Sequence, residues 1–304
     1  MYMKENQKFK GLIAATFTPM DEKGEINLQV IDSYTELLIR SGIKGVFICG
    51  TAGESASLTV EERKSITSEW VRCAKGKLKI IVHTGSNSLN MAKELATHAY
   101  ETGADGFASI APNFFKPATV KDMIDFFAPV AACAKDLPFY FYHFPSITGV
   151  NLSAVEFLSE GKKHIPNLRG VKFTHNNLME MAQCIDLENG AFQVFNGYDD
   201  LLLSGLSLGV EAAVGSTFSY LPGVYLGMMD AFDKGDIEKA RKLQLRSIEI
   251  INIINKYGGP VRGGKAIMNL INIECGPCRL PIAPFRNDEY NLLKEDLRNC
   301  LNFP

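Results

Sequence analysis

The sequence predicts an α/β fold, a (β/α)8 TIM barrel with a C-terminal helical extension, on three observations. Short apolar runs alternate eight times with stretches of helical periodicity over about 235 residues, close to the usual barrel length. The runs are apolar almost throughout, as in strands of a parallel sheet covered on both faces. The segment after the first run, from Thr16 to Ile26, lacks the glycine-rich phosphate loop that usually follows the first strand of a doubly wound open sheet.

The strand-like runs span 11–19, 45–51, 79–85, 106–112, 138–145, 168–174, 192–198 and 211–219. They are rich in β-branched and aromatic residues, with Gly, Pro, Asn or Asp at or near their ends. Helical stretches lie between and after them at 27–41, 59–74, 88–102, 119–134, 153–160, 178–186, 199–208 and 221–232. The first puts Val30, Ile31, Tyr34, Leu37 and Leu38 on one face. The second opens with a capping box, Thr59 to Glu62. Several end near a glycine, the usual residue just past a helix C-terminus. Residues 8–232 thus form the expected barrel. Residues 233–304 read as all helix, at 238–256, 265–273 and 288–301, and are expected to pack on the barrel as an extension.

Composition excludes several classes of function. The chain has 304 residues, 46 % hydrophobic and 22 % charged, which is ordinary for a globular protein and unlike a disordered one. With 32 basic and 34 acidic residues it has no basic field for nucleic acid. No run of 18 apolar residues offers a membrane span. The polar start and seven scattered cysteines lead to the expectation of reduced thiols and a cytoplasmic location.

Active sites of such barrels sit at the C-terminal ends of the strands. Lys172 lies in the apolar sixth run. Turned into the barrel it loses water, its pKa falls, and a neutral amine can form a Schiff base with a ketone. The alternative is a lysine that snorkels to the rim or pairs with a carboxylate. Tyr142, on the fifth run, can relay a proton or serve as a core tyrosine. Gly50-Thr51-Ala52-Gly53 can present consecutive N–H groups to an anion or form an ordinary turn. Asp199 and Asp200 fit a magnesium pair or a helix dipole equally well. Cys275 and Cys278 have redox spacing but lie after the barrel units, and the five histidines show no metal-binding spacing.

Taken together, Gly50-Thr51-Ala52-Gly53-Glu54, then Tyr142 to Pro145 with Thr148-Gly149, then Gly170-Val171-Lys172-Phe173-Thr174 resemble the pyruvate-dependent class I aldolases, over residues from about 8 to 285. That superfamily comprises N-acetylneuraminate lyases and dihydrodipicolinate synthases. The resemblance is greater to the lyase branch, whose sugar-tail segment is similar to Asn196–Asp200 and Gly215–Thr217; 264–268 and 276–281 are also similar. The synthase branch has an arginine after Tyr-x-x-Pro and a tyrosine pair after strand 4. Here those places hold Ile147 after Ser146, and Phe114-Phe115.

The resemblance implies a reversible retro-aldol cleavage of N-acetylneuraminate to pyruvate and N-acetylmannosamine. Lys172 would form the Schiff base, and Tyr142 with Thr51 would move the proton. Thr51 and Ala52 would hold the carboxylate, and Thr174, Gly197, Asp199, Asp200 and Ser216 the polyol tail. It implies no metal or organic cofactor, small-molecule partners only, and a homotetramer with Phe114 and Phe115 at a subunit contact. Two positions depart from the lyase pattern. Ala52 replaces a usual Ser or Thr, and Asp200 a usual Glu. They leave open a different 2-keto-3-deoxy sugar acid as substrate. A non-catalytic keto-acid-binding protein is the reading from another class.

Overall fold

The computed structural model describes residues 8–301. Eight parallel strands close into a barrel in sequence order: β1 (Gly11–Ala15), β2 (Gly45–Ile48), β3 (Lys79–His83), β4 (Gly106–Ile110), β5 (Phe139–His143), β6 (Leu168–Phe173), β7 (Gln193–Asn196) and β8 (Ala212–Gly215). The seam closes between β1 and β8, with Leu12 opposite Ala213. Every strand falls within its predicted run, but each hydrogen-bonded segment is shorter. The residues past each ladder still face the core or the site, so they keep the apolar pattern without the pairing. Phe17, beyond β1, is fully buried and stacks on Tyr220 at 6.3 Å.

Helices α1 (Val30–Arg40), α2 (Val60–Ala74), α3 (Leu89–Thr102), α4 (Val120–Ala132), a single turn α5 (Pro145–Thr148), α6 (Ala154–Gly161), α7 (Leu178–Gly190), α8 (Leu202–Ser207) and α9 (Pro222–Asp233) follow their strands. The predicted capping box is formed, with Thr59 accepting from the Glu62 N–H and Glu62 accepting from the Thr59 N–H. The sequence reading ended α7 at residue 186. The backbone does leave the helical region at Leu187, Glu188 and Asn189.

Three boundaries require correction. The stretch 199–208 is a 3-10 turn, Asp199–Leu201, followed by α8, because the Asp199 carboxylate is turned back to bond Thr217. The strand expected over 211–219 stops at Gly215 and gives way to a 3-10 turn at Thr217–Ser219. The helix expected to begin at 265 begins at Gly259. Gly258 and Gly259 both have positive φ, and Pro260 sits in the first turn, where its missing N–H is harmless.

Helices α10 (Ile237–Lys256), α11 (Gly259–Leu270) and α12 (Asn287–Leu301) complete the chain. Ile250, Ile254, Ala266, Ile267, Leu293 and Leu297 belong to the same continuous core as the strands. The chain beyond α9 therefore shares its apolar burial with the barrel. Among the described residues no helix is long and apolar enough to cross a membrane.

Candidate active site

Parallel pairing of β5 with β6 sets Tyr142 directly beside Lys172. Lys172 is only 4 % exposed, which rules out snorkelling to the rim. Its Nζ lies 3.9 Å from the ring centre of Tyr142 and 4.4 Å from that of Phe47. Burial pulls its pKa down to about 7, with Asp199 acting in the opposite direction. A substantial neutral fraction therefore exists near neutral pH, which a nucleophilic amine needs. An unfolded lysine titrates near 10.5. Between about pH 7 and 10.5 the unfolded chain binds the extra proton, so this group makes the fold more stable as pH rises. Denaturant titrations should show the stability gap between wild type and Lys172→Met shifting in favour of wild type across that window. A gap independent of pH would contradict it.

The Tyr142 hydroxyl lies 3.3 Å from the Thr51 hydroxyl, and either can donate. Burial pushes the phenol above its ordinary pKa, with Thr51 opposing, so it is a neutral group that can accept one proton and donate another. The loop carrying Thr51 follows β2 through two non-glycine residues with left-handed backbone, Cys49 and Glu54. Such backbone is held by its surroundings. Here the Glu54 carboxylate forms an ion pair of 2.8 Å with Lys265 from α11, each side chain 1 % exposed. It also accepts the Arg279 N–H at 2.8 Å. Arg279 in turn holds Glu62 and the Gly24 carbonyl. Lys265 and Arg279, within the segments 264–268 and 276–281 noted in the sequence without a role, thus clamp this loop.

A cavity of about 410 Å³ opens above Lys172. Thr51, Ala52, Tyr142, Lys172, Thr174, Gly197, Asp199, Asp200 and Ser216, all singled out from sequence, line it together. Asp199 accepts from the backbone N–H of Thr217 at 2.9 Å and from its hydroxyl. Burial raises its pKa to about 6, against those two bonds. Asp200 is also raised by burial. The Thr174 hydroxyl is buried at the cavity wall, where it can meet a ligand hydroxyl. Two glycines are required by close approach. A methyl group at Gly197 would strike the Thr174 hydroxyl, and one at Gly215 the Asp199 carboxylate.

Sequence reasoning missed one wall of this cavity. Ile251, Ile254 and Asn255 from α10, with Pro260 and Val261 from α11, close its far side. Their only sequence signal is helical amphipathicity, which does not say which barrel end a helix covers. A larger basin of about 870 Å³ lies at the opposite, N-terminal mouth among Lys10, Lys44, Lys79, Lys135 and Arg169. It contains none of the groups just described. Cys275 and Cys278 are both buried free thiols, pushed up to about 12 by burial, which leaves them protonated. Phe114 and Phe115 stand 76 % and 86 % exposed on the loop after β4.

The dihydrodipicolinate synthetase family profile matches residues 8–300. The chain belongs to the dihydrodipicolinate synthetase family. Within that family it is 43 % identical to an N-acetylneuraminate lyase of Rattus norvegicus over 301 residues, 98 % of this chain and 94 % of the rat protein. Its fold is similar to that of an N-acetylneuraminate lyase from Aliivibrio salmonicida, with a TM-score of 0.95 and 38 % identity, covering 99 % of each chain. A dihydrodipicolinate synthase of the same family, from Aquifex aeolicus, superimposes with a TM-score of 0.86 at 27 % identity, covering 96 % of this chain and 98 % of that one.

Proposed function

We propose that this chain is an N-acetylneuraminate lyase, cleaving N-acetylneuraminate reversibly to pyruvate and N-acetylmannosamine. The observation that carries the reading is the buried Lys172 amine beside the Tyr142–Thr51 hydroxyl pair, at the floor of a polar-walled cavity. Identity above 40 % to lyases, nearly end to end, supports this substrate over that of the synthases.

The open-chain sugar enters with its carboxylate toward Thr51 and Ala52. Neither backbone N–H of that pair donates a hydrogen bond among the described residues, so both are free for an anion. Neutral Lys172 attacks the C2 ketone, and the carbinolamine hydroxyl leaves as water with a proton supplied by Tyr142, so that a protonated imine forms. Tyr142, left as the phenolate and paired with Thr51, takes the proton of the C4 hydroxyl and returns it to C3 of the enamine. The C3–C4 bond breaks, its electron pair flows into the imine, and N-acetylmannosamine departs as the aldehyde. The enamine is protonated at C3, and water then returns to release pyruvate and the free amine. Asp199, Asp200, Ser216, Thr174 and the Gly197 backbone serve the polyol tail, because a buried hydroxyl without a partner is costly. The electron sink is the imine itself. Helices α10 and α11 act as a wall of this site, and the chain after residue 233 serves the barrel as an extension.

Incubation with N-acetylneuraminate, followed by proton NMR, should show pyruvate and N-acetylmannosamine appearing in equal amounts. Absence of both overturns the reading. Tyr142→Phe should keep imine formation yet lower kcat about 100- to 10,000-fold, the range for removing a general acid–base. Equal loss of trapping and turnover would instead make Tyr142 a packing residue. Two departures from the lyase pattern leave room for a second reading, a shorter 2-keto-3-deoxy sugar acid. Ala52 has no hydroxyl for the carboxylate, and Asp200 reaches one methylene less than glutamate.

The protein works in the cytoplasm as a homotetramer in this reading. Two adjacent, largely exposed phenylalanines on the loop after β4 support a subunit contact there. Replacing Phe114 and Phe115 with Asp together should yield a smaller species in sedimentation velocity. An unchanged sedimentation coefficient removes the loop from the contact.

A further inference from the structure

We propose that His143, His175 and Glu180 form a binding site for a single divalent transition-metal ion of the zinc class, separate from the substrate cavity. The ligand atoms of the three residues lie within 4.8 Å of one another. No spacing in the sequence reveals them, because the site is assembled across strands. His143 ends β5, His175 follows β6, and Glu180 lies in the first turn of α7. Successive strand residues face opposite sides. Tyr142 faces into the barrel, and His143 faces out into the helical layer, on the same side as Phe141, which packs on Phe157 of α6. None of the three lines the cavity above Lys172.

The donor arrangement resembles a ligand set more than a hydrogen-bonded cluster. His143 Nε2 and His175 Nδ1 are buried and have no hydrogen-bond partner. Each lies 4.0 Å from the same oxygen, Glu180 Oε2, which is too far for a direct bond. The other oxygen, Oε1, is fixed by the Ala154 N–H at 2.7 Å and the Ser153 hydroxyl at 3.1 Å. Outer hydrogen bonds of this kind orient a ligating carboxylate. Two imidazoles and a carboxylate suit zinc, cobalt or nickel better than magnesium or calcium.

A tetrahedral ion with ligands at about 2.0–2.2 Å needs them about 3.3–3.5 Å apart, so the two His–Glu pairs close by roughly half an ångström and the His–His pair by at most about 1.5 Å. The His175 side chain is 29 % exposed, which leaves an entry path and a place for a water as fourth ligand. Thr174 donates its N–H to the His143 carbonyl at 2.9 Å. The ion would therefore brace the ends of β5 and β6, which present Tyr142 and Thr174 to the cavity.

The test uses the full chain, stripped with a chelator and dialysed against cobalt(II) chloride or zinc sulfate. Wild type should take up one ion per chain at this site, with tetrahedral cobalt bands in the visible spectrum. Zinc should raise its Tm. His175→Asn and Glu180→Gln, checked for folding by circular dichroism, should each weaken uptake by more than about 100-fold, beyond the loss usual for an outer-shell change. They should also lose the zinc-dependent rise in Tm. No saturable uptake by wild type, or equal uptake by both variants, would overturn the proposal and leave a water-bridged cluster.

Discussion

Lys172→Ala should show no covalent adduct after incubation with pyruvate and borohydride, whereas wild type should gain the mass of a reduced pyruvate imine on the peptide containing Lys172. Turnover should fall by at least about 10,000-fold, as when a covalent nucleophile is removed. The expectation rests on the burial of this amine between Tyr142 and Phe47, which supplies the neutral form. Among the described residues no other buried lysine can substitute. Lys265 is also buried, but its amine is engaged by the Glu54 carboxylate at 2.8 Å and does not line the cavity. An adduct that persists in the variant would move the Schiff base elsewhere.

The second large effect is on stability. Lys265→Met should destabilise the fold by about 3–5 kcal/mol, because it leaves the Glu54 carboxylate buried and unpaired. Adding Glu54→Gln should recover most of that loss, since a neutral amide can still accept the Arg279 N–H. Urea denaturation of the two single variants and the double variant measures the coupling directly. The same lysine variant should raise KM, because Glu54 anchors the loop that presents Thr51 and Ala52. Additive losses would mean that the pair does not act as a unit.

All eight strands were legible because each carries an apolar run that only a doubly covered sheet explains. Helix capping was legible where a local pattern encodes it, as at Thr59 and Glu62. The start of α11 was not, because glycines 258 and 259 before Pro260 read as a break; only the observed positive φ values turn them into a helix entry. For Lys172 the residues alone left nucleophile and snorkelling lysine both open. Its burial, which no single strand encodes, separates them. The polar floor of the cavity was legible because it sits at strand ends. The wall from Ile251, Asn255 and Val261 was not, since it depends on where α10 and α11 dock. His143 and His175 lie apart in sequence and meet because β5 and β6 are neighbours.

The most direct test of the account is pyruvate release from N-acetylneuraminate in an assay coupled to lactate dehydrogenase, with Lys172→Ala alongside and a shorter 2-keto-3-deoxy sugar acid as competing substrate. The account predicts lysine-dependent release, with a higher kcat/KM for N-acetylneuraminate than for the shorter acid. Release from the shorter acid alone would keep the Lys172 chemistry and reassign the substrate. Release from neither, with pyruvate binding intact, would contradict the account and leave a protein that binds keto acids without turning them over.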